Sequence, residues 1–169
     1  VKGIVASSAL PLILVSRNPK IKTIRDFGPG DKIAVPTVRV STQAILLQMA
    51  CAAEFGPDQW PKLDANTVQL GRPDAQAALS NPTHEVTSHF ASPPFQYNEL
   101  RTVPGAHIVA RSPDIIGGPR SQGQFFCTTK FADANPKIIQ AVRDASKEAQ
   151  DFIRANTREA VEIYKETTG

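Results

Sequence analysis

An α/β fold with a largely parallel sheet is what this sequence predicts, and three observations carry it. Short apolar runs of strand length alternate along the chain with segments in which apolar residues return at helical spacing. Gly, Pro and Asn-Pro punctuation falls between them, where turns and helix ends belong. Small or polar pairs (Ser7-Ser8, Ser41-Thr42, Ala91-Ser92, Gly117-Gly118) lie just beyond four of the strands, on the side where open α/β sheets collect ligands.

In order, residues 1–7 and 10–16 read as two strands separated by Ser7-Ser8, and Asn18-Pro19 as a turn. Residues 21–27 give one amphipathic helical turn, closed by Gly28-Pro29-Gly30-Asp31. The centre of the chain is 32–55, KIAVPTVRVSTQAILLQMACAAEF: a buried strand (Ile33, Ala34, Val35), a turn at Pro36, then a helix. Ser41 is its expected N-cap, accepting from the N–H of Gln43 or Ala44, with Ile45, Leu46, Met49, Ala50 and Ala53 at helical spacing. Gly56-Pro57 stops it.

A polar connection over 58–66 carries Trp60, and a strand over 67–70 and a helix over 73–79 follow, Pro73 suiting a first helical position. EVTSHFA (85–91) alternates as a half-buried strand should, and Ser92-Pro93-Pro94 breaks it. After a helical turn over 95–100 come a strand over 107–111, a Gly/Pro-rich loop over 112–122 and a strand over 124–129, in which Phe125 and Phe126 read as core. Asn135 is the expected cap of a helix over 136–155 with Ile138, Ile139, Val142, Ala145, Ala149, Phe152 and Ile153 on one face. The last helix, 157–167, turns Ala160, Val161 and Tyr164 inward.

The 169 residues suffice for one domain or two small lobes, and 41% hydrophobic with 21% charged residues is ordinary for a globular chain. The longest apolar run, 9–15, is far too short to span a bilayer. Net charge is +3, but the basic residues are scattered among acidic ones, which argues against nucleic acid as a partner. VKGIVAS, with no initiator Met, basic n-region or signal core, reads as the middle of a longer protein. Cys51 and Cys127 fall on different elements, and buried free thiols are favoured over a disulfide.

A strand feeding a turn feeding a helix leaves several N–H groups without intrahelical acceptors, at the positive end of the helix dipole. That is a site for a carboxylate, sulfonate or phosphate, with Ser41, Thr42 and Gln43 as side-chain donors. The same residues also describe a capped surface helix that binds nothing. His84, His89 and His107 are not spaced as metal ligands, and no Ser-His-Asp order, P-loop or dinucleotide fingerprint is present. No catalytic residue, metal or cofactor is expected.

VKGIVASSALPLILVSRNPKIKTIRDF, DKIAVPTVRVSTQAILLQMACAAEFG, EVTSHFASPPFQYNEL and TTKFADANPKIIQAVRDASKEAQDFI resemble, in order and spacing, periplasmic solute-binding proteins of ABC importers, nearest to the nitrate/sulfonate/taurine type. The resemblance implies a type II periplasmic-binding-protein fold, two lobes joined by crossing strands, with the first lobe incomplete. Residues 1–16 would be a first-lobe strand and the first hinge crossing, 17–122 the second lobe, and 123–169 the second crossing and return. It makes Ser7 and Ser8 the first-lobe contacts and Ser41, Thr42 and Gln43 the second-lobe anion cradle. His89, Phe90 and Ser92 would floor the cleft, and Gly117, Gly118 and Arg120 line its rim. His89 equally describes a satisfied structural histidine, Ser92 a strand stop, and Arg120 a solvated loop residue.

The implied function is capture of a small anionic solute for an inner-membrane ABC permease, in the periplasm or on a lipid anchor outside the cytoplasm. Two other functions fit the same architecture: the effector-binding part of a transcription regulator, and an enzyme similar to those that make the thiamine pyrimidine. The latter carry a cysteine-rich run that this chain lacks.

Overall fold

The computed structural model describes residues 1–168, and they form two compact units, 1–9 with 121–168, and Leu10–Arg120. Gly169, the last residue of the expected 123–169 segment, lies outside the described residues. The strands are β1 (Lys2–Ser8), β2 (Ile13–Ser16), β3 (Lys32–Val35), β4 (Thr67–Gln69), β5 (Val86–Ala91), β6 (His107–Arg111) and β7 (Gly123–Cys127). The α-helices are α1 (Thr42–Phe55), α2 (Arg72–Ser80), α3 (Phe95–Thr102), α4 (Ser112–Ile116), α5 (Thr129–Ala134), α6 (Pro136–Ala155) and α7 (Thr157–Thr168).

The larger unit is built on a five-stranded sheet in the order β4-β3-β5-β2-β6. The unit boundaries fall at 9/10 and 120/121, and β2 is an interior strand of this sheet. The sheet is mixed rather than largely parallel. β3 runs parallel to β4 and β5, whereas β2 runs antiparallel to β5 and β6. Each parallel partner is reached through a helix, as parallel pairing requires. β2 is followed only by the one-turn 3-10 helix Ile24–Asp26 before β3 begins.

LILV reads as a continuous apolar run because β2 is covered on both faces. Leu12 and Leu14 join Ile33, Val35, Leu46, Leu47 and Phe90 in one cluster, while Ile13 and Val15 pack with Leu79 and Val103 in another. β5 is likewise interior, not half-buried: Val86 and Ser88 through Ala91 are all buried. Its polar side chains turn inward because they find partners there. Ser88 Oγ donates to Ser16 Oγ at 2.9 Å, and His89 Nδ1 meets Glu99 Oε1 at 2.6 Å.

α1 ends at Gly56, whose φ of 108° few L side chains adopt and whose N–H bonds the Ala52 carbonyl. Its buried face is Gln43, Ala44, Leu46, Leu47, Ala50 and Cys51. Ile45 and Met49, which share the expected helical spacing with Leu46 and Ala50, are 45% and 42% exposed. The apolar stripe is wide enough to permit either rotation, and contact with the sheet selected this one. The expected loop over 112–122 begins with α4, which Gly117 closes in the left-handed region at φ 76°.

In the smaller unit β1 pairs antiparallel with β7, and α6 lies along β1, with Arg143 Nε and Gln150 Nε2 donating to the carbonyls of Ile4 and Ala6. Its only buried apolar residues, among those described, are Ala132 and Ile139. Phe125 and Phe126, expected in the core, are 53% and 66% exposed. Val161 and Tyr164, expected inward, are about as open, and Phe152, Ile153, Ala160 and Ile163 line a groove of about 760 Å³ between α6 and α7. An apolar stripe marks where a further layer would pack, and no described element covers this one. Asn135 stands at the N-cap of α6 without capping it; its Nδ2 donates instead to the Phe131 carbonyl. Both cysteines are free, Cys51 buried in the larger unit and Cys127 partly exposed in the smaller.

Candidate ligand-binding site

Strand directions bring one edge of the larger unit's sheet into focus. β4, β3 and β5 are mutually parallel, and β6, antiparallel to β2, runs the same way as β5. Their carboxyl ends therefore share one edge, and α2, α1, α3 and α4 respectively begin there. Helix N-termini gathered at the carboxyl edge of a sheet are where α/β proteins hold ligands.

The α1 terminus is the best defined. As expected, Ser41 is its N-cap, with Oγ accepting from the Ala44 N–H at 3.3 Å. That hydroxyl also donates to the Thr37 carbonyl at 2.7 Å, so its proton is committed within the protein. Thr37 accepts a second bond from the Ser41 N–H, and the intervening turn places Arg39 at φ 65°. Thr42 and Gln43 occupy the first two helical positions, whose N–H groups have no intrahelical acceptor. The Thr42 side chain is exposed and the Gln43 side chain buried. The donors for an anion at this terminus are thus the two backbone amides and the Thr42 hydroxyl.

The other nominated residues of this unit divide by depth. His89 and Phe90, expected at a cleft floor, are 1% and 0% exposed and lie inside the unit, His89 paired with Glu99 and Phe90 in the core beside Leu47. They are interior because β5 is covered on both faces. Ser92 is nearly buried where β5 gives way to α3. Gly117 and Gly118 follow α4, both at positive φ, and exposed Arg120 turns its guanidinium onto its neighbour's carbonyl (Nη1 to Pro119 O, 2.9 Å).

In the smaller unit, Ser7 and Ser8 are exposed at the end of β1. Ser8 Oγ accepts from the Gly123 N–H at 3.2 Å. A Cβ at Gly123 would stand 2.6 Å from Ser8 Oγ and 2.7 Å from Ser7 Oγ, so this glycine makes room for both hydroxyls.

Sequence reading missed Gln96, Glu99 and Ser112. Gln96 Nε2 donates to the Pro11 carbonyl at 2.9 Å, and Ser112 Oγ accepts from the Leu12 N–H at 3.0 Å. Both are buried and hold the segment leading into β2. A polar residue at helical spacing reads as solvent-facing, and nothing in the local pattern marks these as inward. Neither thiol offers nucleophilic chemistry at the sheet edge: burial pushes the Cys51 thiol up, and Cys127 belongs to the other unit. Among the described residues no group of three or more His, Cys, Asp or Glu side chains could hold a metal ion.

No protein-family model matches the sequence, and no curated protein sequence matches it. Solved structures do. The chain is similar to the periplasmic aliphatic sulphonate binding protein SsuA of Escherichia coli, with a TM-score of 0.71 and 21% identity over 96% of this chain and 52% of that one. It is also similar to the alkanesulfonate-binding protein SsuA of Xanthomonas axonopodis pv. citri bound to MOPS, with a TM-score of 0.69 and 17% identity over 100% of this chain and 54% of that one. The chain therefore spans about half the length of the structures it matches, and it carries the corresponding part of the periplasmic-binding-protein fold.

Proposed function

We propose that this chain belongs to the solute-binding component of an ABC importer, and that it takes a small anionic solute of the sulfonate type. The observation that carries the reading is the α1 terminus: two unclaimed backbone amides and one exposed hydroxyl at the carboxyl edge of the sheet. The fold shared with two sulfonate-binding proteins supports it. The Thr42 and Gln43 amides take the anionic group, with the Thr42 hydroxyl as a further donor beside them. The loaded form then docks on a membrane permease. The process is binding and release outside the cytoplasm, without turnover.

Thr42→Pro tests the amide cradle without breaking the helix. Proline is tolerated at the first helical position, and Ser41, at φ −68° and ψ 154°, already has the extended backbone that precedes proline. Alkanesulfonates, taurine and nitrate are titrated calorimetrically into both proteins. A binder held by the wild type should lose at least about tenfold in affinity, about 1.4 kcal/mol, with the loss of the Thr42 amide and hydroxyl donors. Unchanged affinity removes the cradle, and no binding of any of these anions removes the sulfonate reading.

A further inference from the structure

Where β5 passes into α3, four polar side chains are packed away from solvent: His89 at 1% exposure, Ser92 at 7%, Gln96 and Glu99 at 0%. Part of their hydrogen-bonding capacity is met by the protein. Glu99 Oε1 bonds His89 Nδ1 at 2.6 Å, and Gln96 Nε2 bonds the Pro11 carbonyl at 2.9 Å, which fixes which end of that amide is oxygen. Three buried atoms have no protein partner: Ser92 Oγ, Gln96 Oε1 and Glu99 Oε2. Native interiors satisfy such groups, with water where protein does not reach.

The three belong together. The Gln96 N–H donates to the Ser92 carbonyl at 3.4 Å, which closes the turn at the cis Pro93-Pro94 peptide and ties Ser92 to the first turn of α3. The spacing of three (96 to 99) puts Gln96 and Glu99 on one face of α3, and the bond from Gln96 holds Ser92 beside its start. Their chemistry is equally specific. A glutamine carbonyl oxygen and a carboxylate oxygen can only accept, while the serine hydroxyl can donate. A species with two donors and an acceptor satisfies all three. We propose that one water molecule binds here, donating to Gln96 Oε1 and Glu99 Oε2 and accepting from Ser92 Oγ. Through it the end of β5, the helix α3 and, by way of Gln96, the chain at Pro11 are joined in one buried network with His89. The network makes Ser92 and His89 part of the scaffold that fixes the sheet's carboxyl edge. This assignment stands apart from the transport reading, since it needs no solute.

A crystal structure of the protein, grown without ammonium salts and at a resolution that shows ordered water, tests it directly. The expected result is a single density peak within about 3.2 Å of Gln96 Oε1, Glu99 Oε2 and Ser92 Oγ. No peak there, a side chain of the protein filling the space, or a peak seen only in ammonium-grown crystals overturns the proposal. Ser92→Ala gives a second reading in solution: the water loses its donor, and the melting temperature should fall by about 2–4 °C. An unchanged melting temperature overturns the role given to Ser92.

Discussion

In the larger unit, Leu12, Ile13, Leu14 and Val15 are each at most 3% exposed, with apolar partners above and below the sheet; in the smaller, Phe125 and Phe126 stand on a two-stranded ribbon more than half exposed. Both runs have the composition of buried strands. All but two of the described buried apolar residues belong to the larger unit. What differs is whether a second and third layer exist for a strand to be buried against, which sequence composition does not report. The same holds for α1 and α6. Both carry an apolar stripe, but α1 presses Leu46, Leu47 and Ala50 onto a sheet, while α6 leaves Ile138, Phe152 and Ile153 at least 37% exposed.

This contrast can be broken by mutation. Phe90→Ala should cost about 3–5 kcal/mol, because a fully buried ring leaves a cavity. Phe126→Ala should stay within about 0.5 kcal/mol. Urea unfolding of the two variants reads both, and comparable costs would mean that the two units are equally packed. Hydrogen exchange sharpens the comparison: amides of β2 and β5 should be protected about a hundredfold more than those of β1 and β7, or about 2.7 kcal/mol. Equal protection would show the ribbon to be held as firmly as the sheet.

The helix caps give a smaller version of the same test. Ser41→Ala removes a hydroxyl that bonds the Ala44 N–H and should cost about 1 kcal/mol. Asn135→Ala removes only a bond to the exposed end of α5 and should cost less than half of that. Equal losses by thermal melting would mean that Asn135 caps α6 after all. The smallest effect is one of pH. The backbone N–H groups of Lys22 and Thr23, helped by the Thr23 hydroxyl, hold the fully exposed Asp26 carboxyl below its ordinary value of 3.8. A depressed folded value means that its contribution is complete above the unfolded value and is lost as pH falls through the folded one. An NMR titration should place the Asp26 midpoint below 3.8, and a midpoint at or above 3.8 would show the capping box of this turn to be open in solution.

Much of the chain was legible because the signals are local. The bounds of α6 follow from Pro136 and its periodic stripe and those of α1 from Ser41 and Gly56, while α2 begins at Arg72, one residue before the Pro73 expected to open it. Each rests on dihedral preferences and on hydrogen bonds that close within four residues. The strand-turn-helix at the candidate site was legible for the same reason. What stayed hidden was which neighbour each element acquires. EVTSHFA alternates like a half-exposed strand, yet Ser88 and His89 are interior because Ser16 and Glu99 arrive from elsewhere to pair with them.

By itself, then, the sequence determined the bounds of α1 and α6, the α/β class, and a helix N-terminus with unclaimed amides, but not α4 or α5. Only the tertiary structure decided that β2 runs antiparallel in mid-sheet, that Glu99 and Gln96 face inward, and that Phe125 and Phe126 do not. The physical reason is range. Caps and turns are settled by groups a few residues apart, whereas strand order, burial and the pairing of interior polar groups depend on segments a hundred residues distant or more, as with Ser112 and Leu12.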